Sequence, residues 1–333
     1  MKVIIPVAGA GLRLRPHTYT QPKPLIPLAG KAILGTIIDR LLCEPNLHGI
    51  VLVIGYLGEK IENYIKERYP DLAVTFIYQE QRLGIAHAIW TAKETFENDN
   101  EVFICLGDII FDGNLSEILN APHSSLGIKK VEDPRDFGIV ELNEEGKVKR
   151  LIEKPKIPKS NTALVGLYKI KEIPLFLQAI DYIISNNIQT RDEFQLTDAL
   201  MYMLEKGTHF NTYVLDTWFD CGKKDMLLMT NAVLLRKLNF QQELENKCFP
   251  NSIIIPPVSI GKDCKIVNSI IGPNVSIGDN SRIEQSIISN SIIGNFAALD
   301  EIVLNKSIIG NDTNIRGNSQ SLNIGDNTEI DFN

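Results

Sequence analysis

The sequence predicts a two-part chain, in which an α/β domain with a mostly parallel sheet is followed by a parallel β-helix. Up to about residue 220, short apolar runs alternate with segments whose apolar residues recur at helical spacing. After Pro250 the pattern changes to short repeats, in which Ile-Gly and Ser-Ile-Ile recur and aliphatic residues are mostly five or six residues apart. We therefore expect the α/β domain at residues 1–235, a connecting helix and linker at 236–250, and the β-helix at 251–333.

The first half of the α/β domain alternates strands with helices. Buried-type apolar runs predict strands at Lys2–Ala8, Gly49–Gly55, Ala73–Tyr78 and Glu101–Leu106. Between them, apolar residues at helical spacing predict helices at Ala32–Cys43, Gly58–Tyr69 and Gly84–Phe96. This strand–helix–strand rhythm is typical of a parallel sheet that carries helices on both faces.

The second half of the domain is less regular. Phe137–Leu142 and Val148–Glu153 flank the turn sequence Asn-Glu-Glu-Gly and are predicted to form a hairpin. Phe210–Leu215 is a further predicted strand, and it is followed by Asp-Thr-Trp-Phe-Asp at 216–220. Lys223–Lys247 contains neither proline nor glycine, so a long helix that connects the two parts is expected there.

The C-terminal repeats place one aliphatic residue in about every six, with small or polar residues between them. Such a repeat builds a triangular coil of roughly 18 residues, and the tract is long enough for about four to five coils. The alternative fold is a β-sandwich with irregular strands.

Composition restricts the classes of protein to which this chain can belong. Its 333 residues are 44% hydrophobic and 23% charged, which are ordinary values for a globular protein. The net charge of −7 argues against a broad surface for nucleic acid or anionic membrane. The five cysteines are scattered and form no Cys-x-x-Cys pair, so neither a disulfide framework nor a zinc site is expected. The N-terminal apolar run is too short for a signal peptide, and a cytoplasmic protein is predicted.

A glycine-containing loop follows the first predicted strand. Gly9 and Gly11 would let backbone N–H groups approach a phosphate, although a plain tight turn explains the two glycines equally well. The third glycine of a dinucleotide fingerprint is absent, because position 14 is leucine, and no Walker sequence follows. Arg13 and Lys23 add the positive charge that phosphate oxygens require.

The loop and several later segments resemble the sugar-1-phosphate nucleotidylyltransferases. The signature is Gly9-x-Gly11-x-Arg13-Leu14-x-Pro16-x-Thr18, followed by Pro22-Lys23-Pro24. Further matches are Gln79 with Gly84, Leu106-Gly107-Asp108, Phe137-Gly138, Glu153-Lys154-Pro155, Gly166-Leu167-Tyr168 and Trp218-x-Asp220-x-Gly222. They cover almost all of residues 1–225. The resemblance implies a Rossmann-like nucleotidyltransferase domain, and the tail is similar to the left-handed hexapeptide β-helices.

The resemblance also implies the reaction. Members of the family transfer a nucleotidyl group from a nucleoside triphosphate to a sugar 1-phosphate and release pyrophosphate, so two anions meet and fixed positive charge is needed. By resemblance, Arg13 holds the leaving pyrophosphate and Lys23 contacts the reacting phosphates. The nucleotide-binding residues implied are Ala8, Gly9, Gly11, Gln79, Gly84 and Asp108. Asp108 and Asp220 are the implied ligands of Mg²⁺.

The substrates are predicted with alternatives. A Gln79 amide matches the N3–H and a carbonyl of thymine or uracil, so dTTP or UTP is favoured. Gly138, Glu153 and Leu164 match positions that contact the sugar in the family, and Lys154 matches one that neutralises the sugar phosphate. Glucose 1-phosphate is the favoured acceptor, and guanylyl transfer to mannose 1-phosphate stays open. His87 is expected to be structural.

Two other classes of function were compared with this one. An acyltransferase site in the β-helix would need a histidine base, but all five histidines precede the repeats. A non-catalytic scaffold of the same fold would be expected to lose phosphate-binding or metal-binding residues, and the candidates for both are present. We expect the β-helix to mediate self-association into a homo-oligomer.

Overall fold

The computed structural model describes residues 1–238, 249–317 and 322–331. The chain forms two compact units, each made of two segments. The first unit comprises Met1–Gly9 and Ile37–Trp218, and the second comprises Ala10–Thr36 and Phe219–Asn333. The glycine loop from Ala10 onward, including Gly11, thus belongs to the same unit as the C-terminal repeats.

Strands and helices alternate over residues 1–238. The strands are β1 (Lys2–Pro6), β2 (Pro27–Leu28), β3 (Lys31–Ala32), β4 (Ile50–Ile54), β5 (Val74–Tyr78), β6 (Val102–Cys105), β7 (Ile109–Asp112), β8 (Ser125–Lys130), β9 (Gly138–Leu142), β10 (Val148–Glu153), β11 (Thr162–Ile170), β12 (Asn211–Val214) and β13 (Thr217–Asp220). The helices are α1 (Ile33–Leu42), α2 (Gly58–Arg68), α3 (Ile85–Thr91), α4 (Ser116–Leu119), α5 (Ile173–Ser185), α6 (Leu196–Glu205) and α7 (Lys224–Leu238). Short 3-10 helices lie at Leu12–Leu14, His17–Tyr19, Lys23–Leu25, Lys93–Thr95 and Pro134–Asp136.

The first unit is built on a nine-stranded mixed sheet. Its main path runs β10-β9-β11-β6-β1-β4-β5, and β8 pairs with both β11 and β12. Strands β6, β1, β4 and β5 are parallel, as the sequence predicts; Val3 of β1, for example, lies between Phe103 and Ile50. Strand β11 runs antiparallel to β6, β8 and β9. Strands β8 and β11 fall in segments where the sequence analysis predicts none.

Most of the predicted elements are confirmed. The hairpin forms as β9 and β10, with Gly138 opposite Glu153. Helix α3 is shorter than predicted, because the backbone leaves the α-helical conformation at Ala92 and continues as a 3-10 turn. The predicted connecting helix begins at Lys224 and is seen through Leu238, and its predicted continuation to Lys247 lies outside the described residues.

Apolar side chains of the sheet and of helices α3, α5 and α6 form the core of the first unit. Phe103 on β6 and Phe176 on α5 are fully buried. Packing of this kind holds the carboxyl ends of the parallel strands in place, and the candidate site of this unit lies at those ends.

The C-terminal repeats form three parallel sheets. Their strands are β14 (Ile253–Ile254), β15 (Val258–Ile260), β16 (Lys265–Val267), β17 (Ile270–Ile271), β18 (Val275–Ile277), β19 (Arg282–Glu284), β20 (Ile287–Ser289), β21 (Ile292–Ile293), β22 (Ala298–Asp300), β23 (Val303–Asn305), β24 (Ile308–Ile309), β25 (Asn314–Arg316), β26 (Asn323–Ile324) and β27 (Glu329–Asp331). The sheets are β14-β17-β20-β23, β15-β18-β21-β24-β26 and β16-β19-β22-β25-β27. Each strand from β14 to β22 pairs with the third strand after it, and β24 and β25 pair with β26 and β27. This makes a stacked three-sided coil consistent with a left-handed β-helix.

The coils are shorter than the roughly 18 residues expected from hexapeptide spacing. Ile266, Ile283, Leu299 and Ile315 stack in register, so successive coils advance by 17, 16 and 16 residues. Single residues in the left-handed backbone conformation turn the corners, as at Asn280 and Phe296, with φ of 58° and 56°. Corners made by one residue give a shorter coil than three sides of six residues each would.

The recurring Ile-Gly pair has a structural reason. Four of these glycines are followed by Asp279, Asn295, Asn311 or Asp326, whose Oδ1 accepts a backbone N–H from the preceding coil at 2.7 to 2.8 Å. A Cβ atom on Gly294 would lie 2.6 Å from Oδ1 of Asn311. Glycine is therefore required wherever this ladder of Asn and Asp side chains passes the next coil.

No helix in the described part of the chain has the length and apolar character that crossing a membrane requires.

Candidate active site

The glycine loop of the second unit is held in a specific conformation. Gly11 has φ of 61°, in the left-handed region, and its carbonyl accepts hydrogen bonds from the Thr18 hydroxyl and the Leu14 N–H, both at 2.9 Å. A Cβ atom on Gly11 would lie 3.0 Å from Cγ2 of Thr18 and 3.1 Å from Cβ of Lys23. The signature glycine is thus needed for both its φ angle and its close packing.

Two basic residues and one carboxylate of the second unit lie together beside Gly222. Lys23 is 8% exposed, and its Nζ lies 4.0 Å from Oδ1 of Asp220. A Cβ atom on Gly222 would be 3.0 Å from Oδ1 of Asp220 and 3.2 Å from Nη2 of Arg13. The fold therefore brings together three residues that are far apart in the sequence, and it combines fixed positive charge with an oxygen ligand.

The end of the β-helix supports this loop within the second unit. His17 is buried, and its Nε2 lies 2.5 Å from Oδ1 of Asn323 in β26. The Thr20 hydroxyl donates a hydrogen bond to the Asp326 carboxylate. Both partners belong to the last described coil. The β-helix, for which the sequence analysis predicts self-association only, also contacts the segment that follows the glycine loop.

A second contact ties the loop segment to helix α7 and the coils. Oδ1 of the buried Asn231 accepts hydrogen bonds from the backbone N–H of Ala29 at 2.8 Å and from the Ser276 hydroxyl at 2.6 Å. One side chain of α7 thus joins a loop residue to a β-helix residue.

Burial of His17 makes the stability of the protein depend on pH. Burial lowers the pKa of His17, and nearby Lys224 lowers it further, whereas the hydrogen bond to Asn323 and the charge of Asp326 raise it. Unfolded His17 binds a proton near pH 6.5 and folded His17 only at lower pH, so protonation favours the unfolded chain. We expect the unfolding temperature to fall between about pH 7 and pH 5, and to fall less in His17→Gln. Thermal unfolding across this range tests the expectation, with the exposed His123→Gln as control; parallel profiles for His17→Gln and the parent would contradict it.

In the first unit, Gln79 and Gly84 lie together at the carboxyl end of β5. Gln79 is buried, and its Nε2 donates a hydrogen bond to the Gly84 carbonyl at 3.2 Å. Nε2 of Gln79 also lies 2.9 Å from Nδ1 of His87 on α3, a contact that the sequence analysis did not predict. Burial lowers the pKa of His87. The sequence could have indicated that His87 lies near Gln79 and Gly84, because His87 follows Gly84 by about one helical turn.

Gly84 has no room for a side chain. Its φ is 107°, and a Cβ atom would lie 2.5 Å from the carbonyl oxygen of Phe194 and 2.8 Å from the Phe194 nitrogen. Backbone hydrogen bonds hold Phe194 there, since its N–H donates to Leu83 and its carbonyl accepts from Ala86. The segment around residue 194 therefore fixes the start of α3.

Gly84→Ala is expected to displace the loop between β5 and α3. We expect destabilisation beyond the roughly 1–3 kcal/mol that a backbone conformation open essentially only to glycine costs by itself. Because the sequence resemblance implies that Gly84 binds the nucleotide, we also expect at least about a tenfold rise in the KM for the nucleotide. Gly207→Ala is the matched control, because Gly207 also has a positive φ of 97° but open space at its Cβ position. Equal losses of stability and of nucleotide affinity in the two variants would contradict the expectation.

The predicted sugar-phosphate residues lie together in the first unit. A Cβ atom on Gly138 would lie 2.9 Å from Oε2 of Glu153 and 3.1 Å from Cδ1 of Leu164. Glu153 is 9% exposed at its side chain and pairs with Nζ of Lys154 at 3.1 Å. A residue that the sequence analysis missed, Thr197 at the start of α6, donates its hydroxyl to Oε2 of Glu153 at 2.7 Å. The carboxylate is therefore held from two sides.

Lys154 has a strained backbone. Its φ is 40°, in the left-handed region that residues other than glycine rarely adopt, and its N–H donates to the Phe137 carbonyl at 3.0 Å. Strain of this kind persists where the surroundings hold the residue in place, and it is common at functional sites. The side chain keeps partial access to solvent, with 26% exposed.

Asp108, Ala8 and Gly9 follow adjacent parallel strands, β6 and β1. Parallel neighbours end at the same edge of a sheet, so these residues leave the sheet on its carboxyl side. A Cβ atom on Gly9 would meet no atom within 4 Å, which leaves open space beside the loop. Burial raises the pKa of Tyr168 far above its usual range, and the charges of Glu153 and Asp108 raise it further. The charges of Asp108 and Glu153 thus both act on Tyr168.

The carboxylates fit a magnesium ion. Mg²⁺ binds hard oxygen ligands and usually takes only one or two carboxylates in addition to substrate phosphates and water. Asp108 in the first unit and Asp220 in the second are each a carboxylate of this kind, and the Asp220 side chain is 19% exposed. Over the residues that the structure describes, no group of three or more His, Cys, Asp or Glu side chains is arranged to hold a metal.

An α/β sheet with a glycine loop and carboxylates at the carboxyl ends of its parallel strands is typical of domains that bind nucleotides there. Residues 2–237 match the family model described as Nucleotidyl transferase, and the chain belongs to that family.

Known proteins agree with this assignment. The chain is 36% identical over 258 residues to the bifunctional protein GlmU of Methanocaldococcus jannaschii, a match that covers 76% of this chain and 59% of that protein. It is 28% identical over 274 residues to glucose-1-phosphate thymidylyltransferase of Streptomyces antibioticus, covering 80% and 74% of the two chains. The chain thus spans little more than half the length of its GlmU relatives. A crystal structure of UDP-glucose pyrophosphorylase with UDP-glucose superposes with a TM-score of 0.62 at 22% identity, covering 71% of this chain and 98% of that one, which supports the fold.

Proposed function

We propose that the protein transfers a nucleotidyl group from a nucleoside triphosphate to a sugar 1-phosphate and releases pyrophosphate. The preferred nucleotide is dTTP or UTP, and the preferred acceptor is glucose 1-phosphate. The observation that carries the proposal is the group of Arg13, Lys23 and Asp220 beside Gly222. Membership of the Nucleotidyl transferase family supports the class of reaction.

The proposed reaction is a direct displacement at phosphorus. An oxygen of the sugar phosphate forms a bond to the α-phosphorus, and the bond between that phosphorus and the bridging oxygen of the pyrophosphate breaks. Lys23 neutralises charge on the reacting phosphates, and Arg13 holds the departing pyrophosphate. A bound Mg²⁺ would be held by Asp108 and Asp220 and would supply further positive charge among the phosphate oxygens.

The acceptor site is proposed to lie around Glu153. Its carboxylate, supported by Thr197 at 2.7 Å, accepts hydrogen bonds from sugar hydroxyls, and the neighbouring Lys154 neutralises the sugar phosphate. Gly138 and Leu164 border the carboxylate and shape the space for the sugar ring. A pair of vicinal hydroxyls on glucose suits a single carboxylate.

The base is proposed to bind at Gln79 and Gly84. The open space at Gly9 and the backbone around Ala8 and Gly11 would receive the triphosphate, because N–H groups near glycine can approach phosphate oxygens closely. Gln79 is buried, so a hydrogen bond to the base would be shielded from water and would discriminate strongly.

The test is pyrophosphate release with glucose 1-phosphate and Mg²⁺, measured in parallel with dTTP, UTP, GTP, CTP and ATP. Strong release with dTTP or UTP supports the proposal. Release with GTP alone keeps the reaction but overturns the choice of base, and mannose 1-phosphate is then the next acceptor to test. No release with any nucleotide and several sugar phosphates would favour a non-catalytic role.

We propose that the β-helix also mediates self-association. Ile253, Ile287 and Val303 are 58%, 46% and 42% exposed, and they align in register along one sheet through Ile270. Burying this row of aliphatic side chains between subunits would remove apolar surface from water. We expect a multiple of the 37.3 kDa chain mass by light scattering at micromolar concentration. A monomeric mass would contradict the proposal.

A further inference from the structure

We propose that His87 is a positioning residue that orients the Gln79 amide, so that its carbonyl oxygen is the group presented to the base. The inference rests on the proposed function, in which Gln79 contacts the nucleotide base. It extends that function by naming the residue that determines whether the donor or the acceptor end of the Gln79 amide faces the base.

The orientation of the amide follows from its partners. The backbone carbonyl of Gly84 can only accept a hydrogen bond, so the Gln79 group 3.2 Å away must be the NH₂. The same nitrogen lies 2.9 Å from Nδ1 of His87. Both N–H bonds of the amide are thereby directed at protein atoms, and Oε1 is the polar atom that is left for a ligand.

This arrangement determines the tautomer of His87. Because the Gln79 nitrogen is a donor, Nδ1 of His87 must accept, and the ring proton must sit on Nε2. Trp90 stacks against the imidazole at 5.9 Å between ring centres, and the Trp90 Nε1–H donates to Asp181 at 2.6 Å. The ring that accepts the second N–H of the Gln79 amide is therefore itself held in place.

A presented carbonyl oxygen selects among the bases by hydrogen-bond polarity. It can accept from an imino N–H, which uracil and thymine carry at N3 and guanine carries at N1. Cytosine at N3 and adenine at N1 are themselves acceptors, so each would place a lone pair against Oε1. His87 thus favours bases that carry an imino proton over those that lack one. This preference includes guanine, so it differs from a preference for pyrimidines.

The first test compares His87 variants by the ratio of kcat/KM for the best nucleotide to that for CTP and ATP. In His87→Ala one amide N–H loses its partner and the amide can rotate, so we expect the ratio to fall at least about tenfold. In His87→Asn the side-chain carbonyl can accept in place of Nδ1, and most of the ratio should return. His123→Ala, a change of an exposed histidine in the same unit, is the matched control. An unchanged ratio in His87→Ala would overturn the proposal.

The second test needs no activity. Long-range ¹H–¹⁵N spectra of the full chain labelled with ¹⁵N-histidine report the tautomer of each ring, and the His87 signal is the one missing from His87→Asn. We expect an unprotonated Nδ1 and a protonated Nε2 near neutral pH. A proton on Nδ1 would overturn the proposal even if the enzyme proves active. Conversely, an inactive enzyme with the expected tautomer would refute the proposed function and leave the orientation of Gln79 intact.

Discussion

Lys23→Ala is expected to lower kcat at least about a hundredfold, which is the loss typical of removing one preorganised charge from a polar transition state. Lys23 is 8% exposed, and its ammonium lies 4.0 Å from the Asp220 carboxylate. Without it, negative charge on the reacting phosphates would face a nearby carboxylate with less compensation. Water cannot supply a compensating charge at this buried position. We therefore expect the decrease in kcat to be larger than the increase in KM.

The control for Lys23→Ala is Lys262→Ala, which removes an exposed lysine from the same unit. Circular dichroism and thermal unfolding of both variants check that the fold persists, and Lys23→Met separates loss of charge from loss of packing. Pyrophosphate release supplies the rates. A rate near that of the parent in Lys23→Met would remove Lys23 from the proposed chemistry.

Asp108→Asn is expected to lower kcat by two or more orders of magnitude while the fold persists. Asparagine keeps the shape of the side chain and removes the charge, so a Mg²⁺ ligand would be weakened with little change in packing. The Mg²⁺ concentration that gives half-maximal activity should therefore rise. In the parent protein, chelation by EDTA should abolish pyrophosphate release, and added Mg²⁺ should restore it.

Asp136→Asn, at an exposed position of the same unit, controls for a general change of charge. An unaltered Mg²⁺ dependence in Asp108→Asn, with turnover close to that of the parent, would show that Asp108 does not hold the metal. If Asp220→Asn then changed the Mg²⁺ dependence, the metal would be assigned to the second unit alone.

The predicted parallel strands are the part of the fold that local pattern specifies best. Ile50–Ile54 is buried at every position and reads as a continuous apolar run, as expected for a strand covered on both faces. Strand β11 is also buried throughout, but its sequence, Thr-Ala-Leu-Val-Gly-Leu-Tyr-Lys-Ile, includes a lysine and follows a proline-rich segment. The buried Lys169 ammonium donates hydrogen bonds to the Leu119 and Ala121 carbonyls, and these partners cannot be recognised in the sequence.

The sequence indicates those candidate site residues that belong to short motifs. It does not indicate residues whose role depends on a contact with another side chain. Gly138, Glu153 and Lys154 sit in recognisable segments, but Thr197 has no local signal and is distinguished only by its bond to Glu153. His87 is similar, because its contact with Gln79 joins the end of a strand to a helix. Whether one side chain supports another depends on the distance between them in the folded protein, and a single sequence contains that information only indirectly.

By itself, the sequence determined the alternation of strands and helices in the first half of the α/β domain, the change to repeats after Pro250, and the residue types that a phosphate-handling site requires. These properties depend on periodicity and on local backbone chemistry, which neighbouring residues set. Only the tertiary structure decided that Arg13 and Asp220 meet beside Gly222, that Gln79 lies in contact with His87, and that His17 is held by Asn323 at the end of the β-helix. Each of these pairs is brought together by the packing of distant segments. Burial of apolar surface determines where strands and coils lie, and the polar side chains then form hydrogen bonds with the groups that packing places beside them.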